Sequence, residues 1–189
     1  MRLQGRRIGI LIENGFEAPE IWYYKYRFPE EGAEIHFLSR LWGQPYLEFE
    51  SEKSRDVLRC DKSFENIDDA TLRSYAAIIV PSGMVSDRLR YTKDVGKLPP
   101  ATEFLKRAFA ERNILKGIIC HGLWLAAPAP EMVRGRRVVV SNNLFGDARN
   151  MGAIYVNEDI VVDGDLVTAR TAGHCNLFAR TIIDLLSQH

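Results

Sequence analysis

Apolar residues in this chain fall into short runs separated by amphipathic stretches, and that alternation predicts the fold class. Arg7-Ile-Gly-Ile-Leu-Ile12 is a run rich in β-branched residues, the composition of a buried strand. Gly15 punctuates it, and Pro19 opens an aromatic amphipathic stretch that ends at Glu31-Gly32. Proline suits that opening because its missing N–H is not needed in a first helical turn. A strand is predicted over 34–38, so the chain begins β-α-β, the start of a parallel sheet. Residues 76–80 are almost uninterruptedly apolar and stop at Pro81-Ser-Gly83, as a strand buried on both faces does. A helix is predicted over 99–110, with Phe104, Leu105, Ala108 and Phe109 on one face, and it feeds a strand over 115–119. Strand-like runs follow at 137–140, 154–156, 160–162 and 166–169. Asp163-Gly164-Asp165 forms the hairpin turn between the last two. An amphipathic helix over 176–188 closes the chain. Residues 41–69 break the rhythm: they are polar and charged, with Trp42, Tyr46, Phe49 and Phe64 spaced like a small hairpin or covering loop.

Composition narrows the picture. At 189 residues the chain suits a single α/β domain over 1–189, with 41–69 as a covering insertion. Lys plus Arg and Asp plus Glu number 25 each, so no bulk field favours nucleic acid or an anionic membrane, and a small neutral partner fits better. The opening Met1-Arg-Leu-Gln-Gly-Arg-Arg7 lacks the apolar core of a signal peptide, and no apolar stretch is long enough to span a bilayer. A soluble, cytoplasmic protein is expected. Three cysteines without CxxC spacing suit free thiols in a reducing compartment.

Ligands of parallel α/β sheets sit beyond the carboxyl ends of the strands, which directs attention to Glu13–Glu20, Pro81–Asp87 and Cys120-His121-Gly122. In the last of these an apolar strand turns directly into a predicted helix at Cys120, resembling a nucleophile elbow. Such a turn lifts the side chain to the top of the sheet, aims the following N–H groups at an oxyanion, and lets the helix dipole favour thiolate. The bland alternative is a small buried hydrophobe. Glu20, early in the first helix, is a candidate proton carrier or merely a favourable partner for the positive helix end, and spacing alone does not choose between it and Glu17. Gly83 is a candidate backbone donor or a turn glycine. Asp87 is a candidate for orienting a histidine or an ordinary loop carboxylate. Because neighbouring side chains diverge, the His121 ring is not expected to act on the same atom as Cys120 in one simple geometry. His174-Cys175 forms a second adjacent pair, but a metal site with Cys120 and His121 is disfavoured, since zinc ligands are spaced as CxxC or HxxxH. Cys60 and Cys175 read as structural, and His36 as a satisfied histidine. No cofactor is called for.

Taken together these residues resemble the ThiJ/PfpI superfamily, which includes PfpI-type intracellular proteases and the Parkinson-associated protein deglycase. The likeness runs through Ile8–Glu20, Ala77–Gly83, Asp87–Arg90, Ile119–Trp124, Val133–Arg137 and Val161–Thr171. It implies a flavodoxin-like three-layer sandwich with a mostly parallel central sheet, a cysteine nucleophile elbow, and a homodimer or larger assembly. Cys120 then matches the nucleophile, Glu20 its carboxyl neighbour, and Gly83 with the His121 backbone the oxyanion donors. His121 matches a histidine oriented across a subunit interface by an acid, near which Asp87 stands. Ser82 replaces the usual first glycine of a Gly-Gly pair, which is expected to alter the pocket floor. Asn176 stands where an amidotransferase triad has glutamate, leaving His174 as a candidate second base or substrate contact. The implied function is a cysteine-dependent hydrolase or lyase acting on small carbonyl or acyl compounds such as methylglyoxal or peptide-like amides. The alternative is a redox-sensing or chaperone-like stress protein that uses an oxidisable Cys120.

Overall fold

The computed structural model describes residues 1–188. In chain order the strands are β1 (Arg7–Leu11), β2 (Glu34–Ser39), β3 (Leu47–Glu50), β4 (Val57–Cys60), β5 (Lys62–Ser63), β6 (Ala77–Val80), β7 (Leu115–Ile119), β8 (Arg137–Val138), β9 (Ile154–Tyr155), β10 (Ile160–Asp163) and β11 (Leu166–Ala169). The α-helices are α1 (Ala18–Glu30), α2 (Asp69–Leu72), α3 (Val85–Leu89), α4 (Pro100–Ala110), α5 (Phe145–Asn150) and α6 (Cys175–Leu186).

Seven strands form the central sheet in the order β10-β11-β7-β6-β1-β2-β5. All its pairings are parallel except the β10–β11 hairpin. β6 and β7 are buried at every position, which is why they read as continuous apolar runs and not as alternating ones. Strand order runs outward in both directions from the β1–β6 pair, a topological switch point. There the connections leave the sheet on opposite faces and a crevice opens beyond the strand ends. α1 and α6 pack on each other and, through Phe178 and Ile182, over the small Gly117 of β7. α4 and α3 pack with the 3₁₀ segment that follows β7. The result is the expected α/β architecture with helices on a mostly parallel sheet.

Several sequence expectations need correction. The segment after Cys120 is a 3₁₀ helix, Cys120–Ala126, and not an α-helix. The runs at 137–140 and 154–156 give only two-residue strands, β8 and β9, paired with each other outside the central sheet. Val139 and Val140 are buried without extending that ladder, the Val139 N–H donating instead to Thr168 Oγ1 at 2.9 Å. Within 41–69, the β3–β4 hairpin was expected in outline, but β5, which adds an edge strand to the central sheet beside β2, was not.

Candidate active site

Cys120 is the first residue after β7, and its backbone takes φ 56°, a left-handed conformation that costs a non-glycine residue on the order of 1–3 kcal/mol. Packing holds it there. Gly122, two residues on, sits so close to the end of β6 that an added Cβ would lie 2.6 Å from the Val80 carbonyl oxygen. The strain turns the chain sharply and sets the sulfur at the floor of a cavity of about 350 Å³, lined by Glu17, Lys53, Gly83, Met84 and His121 among others.

The His121 ring folds back over the sulfur, with Nδ1 3.1 Å from Sγ. This overturns the expectation that adjacent side chains diverge: at left-handed φ the usual directions no longer hold. Trp124 packs edge-on against the ring at a centroid distance of 4.8 Å and fixes its plane. Burial is the largest influence on both members of the pair, pushing the Cys120 thiol up and the His121 imidazolium down. The resting pair is therefore thiol and neutral imidazole, contrary to the expectation of a dipole-stabilised thiolate. Desolvation outweighs the N–H and hydroxyl groups that favour the charged sulfur. The N–H groups of His121 and Ala172 and the Ser141 hydroxyl act the other way, stabilising negative charge on the sulfur.

Glu20 lies in the first turn of α1, only 1 % exposed. Its carboxyl accepts from the Ser82 N–H, 3.2 Å from Oε2, and from the Ser82 hydroxyl. Tyr24, one turn on, approaches the same carboxyl without bringing its buried hydroxyl within hydrogen-bond distance of a partner among the described residues. Desolvation dominates and pushes Glu20 up to about 7, and its negative form in turn opposes the thiolate. Ser82 thus gives Glu20 a hydroxyl donor as well as its backbone N–H. Gly83 carries the conformational demand: its φ is 75°, and an added Cβ would stand 2.4 Å from the Gly15 carbonyl oxygen.

Glu17 also reaches the cavity, at the N-cap of α1, where it accepts from Lys53 Nζ at 2.9 Å. Lys53 and Glu52 come from the turn of the β3–β4 hairpin and roof the site. Sequence reasoning missed both, together with Ser141, because nothing in a solvated turn marks which residues lean inward.

Other candidates do not converge on the sulfur. His174 Nδ1 pairs with Thr171 Oγ1 at 3.0 Å and its Nε2 lies 3.5 Å from Asp159, so the ring is turned away from the cavity, which is lined instead by Thr171, Ala172 and Gly173. Asp87 is exposed and accepts from Arg90 at 3.1 Å, with no contact to His121 within the chain. His36 is satisfied by Tyr75 and Glu34, and the buried Cys60 thiol donates to the Phe37 carbonyl at 3.2 Å. Among the described residues no group of three or more His, Cys, Asp or Glu side chains is placed to hold a metal ion.

Comparison with known proteins places the chain in a family. The chain is 28% identical to a deglycase of Pyrococcus abyssi, over 95% of this chain and 99% of that protein. It is 29% identical to protein/nucleic acid deglycase 2 of Escherichia coli, over 96% and 98% respectively. Among solved structures, a two-domain protein of Anabaena variabilis with DJ-1/ThiJ/PfpI-like and ferritin-like domains superposes with a TM-score of 0.83 at 24% identity. That match covers 96% of this chain but only 48% of the two-domain protein. The model of the DJ-1/PfpI family matches residues 6–185, and the chain belongs to that family.

Proposed function

We propose that this protein is a cysteine-dependent hydrolase or lyase acting on small carbonyl compounds, of the glyoxalase or deglycase kind, through Cys120. The observation that carries the reading is the 3.1 Å approach of His121 Nδ1 to a cysteine sulfur held by left-handed backbone on the floor of a cavity. Relatives bearing the name deglycase support the choice of carbonyl chemistry.

In this reading His121 takes the thiol proton as the sulfur adds to the aldehyde carbon of methylglyoxal, and the carbonyl electron pair moves onto oxygen. Glu20, protonated up to about pH 7, protonates that oxygen, giving a thiohemiacetal. Transfer of a proton from C1 to C2, with the proton of the C1 hydroxyl moving to the C2 oxygen, converts this to a thioester, and water releases lactate and the free thiol. The cavity takes a small neutral molecule, and a peptide-like amide is the other substrate class. The Gly83 N–H is the candidate oxyanion donor. Cytoplasmic location and a homo-oligomer belong to the same proposal, with Asp87 of another copy the alternative to a partner for His121 within the chain.

A second reading is favoured by the buried, protonatable Glu20 beside the sulfur: peroxide oxidises Cys120 through sulfenate to sulfinate, and the Glu20 proton bridges to the sulfinate oxygen. The two are separated by one experiment. Blocking Cys120 with iodoacetamide, mapped by mass spectrometry, abolishes methylglyoxal and amide turnover if the first is right. Absence of any turnover, together with a gain of two oxygens on Cys120 under mild peroxide, selects the second.

A further inference from the structure

Among the described residues no acidic side chain hydrogen-bonds to His121, yet its outer nitrogen is not unattended. Asn143 Nδ2 lies 3.4 Å from His121 Nε2. The same amide is hydrogen-bonded through Oδ1 to the Ser141 hydroxyl, and that hydroxyl also faces the Cys120 sulfur. Sulfur, imidazole, amide and hydroxyl therefore close a ring within one chain. The loop is anchored at both ends of its short 3₁₀ turn, Asn142–Leu144: Asn142 Oδ1 accepts from Arg170 at 2.7 Å, and Leu144 is buried. Arg170 is itself held by Asp159, Tyr155 and Asn157.

We infer that Ser141 and Asn143 are positioning residues for the Cys120–His121 pair, with Asn143 doing in cis what an intersubunit acid does in the alternative assignment to Asp87. The inference deepens the function proposed above and rests on it for its chemical purpose. Hydrogen-bond bookkeeping shows why an amide suits the place. An amide turned half a revolution exchanges its donor and acceptor ends. With its nitrogen toward His121, Asn143 donates to Nε2 and the neutral ring carries its proton on Nδ1, a resting tautomer that cannot take the thiol proton through that nitrogen. With its oxygen toward His121, it accepts from Nε2–H and so leaves Nδ1 of the neutral ring free to take the thiol proton; once it has, the amide Nδ2 donates to Ser141 Oγ, and both the Ser141 O–H and the His121 Nδ1–H donate to the thiolate. Every donor in the ring then meets an acceptor. The charged pair formed as the sulfur attacks is matched without recruiting a solvent molecule or a second subunit. The remaining charged groups facing the pair are Glu20 and Glu17 of α1, Glu52 and Lys53 of the hairpin turn, and Asp147 of α5.

Asn143 is exposed, so its replacement leaves folding intact, and the test reads His121 directly. ¹⁵N-edited NMR of the full chain follows the tautomer and titration of His121 in wild type, Asn143→Ala and Asn143→Asp. Asn143→Ala is expected to lower the His121 titration by about half a pH unit or more, from loss of the acceptor that favours the imidazolium. Asn143→Asp is expected to raise it above wild type. Alkylation of Cys120 by iodoacetamide at neutral pH should fall about tenfold in Asn143→Ala, one pKa unit's worth of differential stabilisation, and recover in Asn143→Asp. An unchanged His121 titration in Asn143→Ala overturns the inference. So does a loss of alkylation in Asp87→Asn that Asn143→Ala does not share. A wild-type Cys120 that alkylates as an ordinary free thiol while His121 still responds to Asn143 overturns the functional reading and leaves the positioning network standing.

Discussion

Replacing Glu20 by Gln tests the electrostatics of the site through stability alone. Glu20 is fully buried, and its carboxyl rises from the ordinary 4.5 to about 7. That difference of 2.5 corresponds to about 3 kcal/mol at 1.36 kcal/mol per pKa unit. The sign follows from proton counting. Between pH 4.5 and about 7 the folded protein holds a proton that the unfolded chain has lost, so stability falls as pH rises through this window and stays lower above it. Gln at this position cannot ionise, and its side-chain oxygen still accepts from Ser82. Urea unfolding at about pH 5 should therefore give similar midpoints for the two proteins. At about pH 8 Glu20→Gln should be the more stable by up to about 3 kcal/mol, with an unchanged denaturant slope. Two stability curves that run parallel across the window would refute the reasoning, because they would mean that Glu20 ionises as easily folded as unfolded. A protein that carries such a carboxyl forgoes stability at neutral pH, a cost common where a group is kept protonatable for chemistry.

Other consequences are open to simple measurement. Gly83→Ala forces a side chain into left-handed backbone and into the Gly15 carbonyl; it should cost about 2 kcal/mol or more, read as a thermal midpoint lower by about 5 °C. Ser82→Gly restores the family's usual pair but removes the hydroxyl that holds Glu20 down, so the Glu20 carboxyl, followed by ¹³C NMR, should titrate above its wild-type value of about 7. At the opposite end of β7, Lys116 is buried and bound to Asp165 and to the Glu111 carbonyl. Asp165→Ala leaves that ammonium without its counter-charge and should cost about 3 kcal/mol in urea unfolding, whereas Lys116→Met, which leaves Asp165 paired with Arg136, should cost less.

Much of this site was legible in the residues because strand ends are written locally. The apolar runs of β1, β6 and β7 stop at Glu13, Pro81 and Cys120, and a parallel sheet brings those stops to one edge. The resemblance chose Glu20 over Glu17, and the structure gives the two different surroundings: Glu20 is buried against Ser82, while Glu17 sits at the cavity mouth paired with Lys53. What the sequence did not carry was rotation and reach. Left-handed backbone at Cys120 swings His121 onto the sulfur, an outcome that depends on how closely Gly122 packs under β6 and not on spacing. Ser141 and Asn143 follow a strand that ends early, in a polar stretch with no periodicity to place it. The position of His174 after β11 places it near the site, while its ring turns to Thr171 and Asp159, which spacing does not reveal. Charge balance and cysteine count spoke only to compartment and partner class, on which the fold is silent; among the described residues no helix is long and apolar enough to cross a membrane.

In the proposed reaction the Cys120 sulfur forms a bond to a small carbonyl substrate and His121 takes its proton. The most direct test is the rate of lactate formation from methylglyoxal by the wild-type protein, Cys120→Ser and His121→Ala, measured side by side at neutral pH. Addition of the Cys120 sulfur to the aldehyde predicts measurable turnover by wild type, a loss of at least about a hundredfold in His121→Ala from removal of the general base, and no enzymatic turnover by Cys120→Ser. Equal rates in wild type and Cys120→Ser would contradict it.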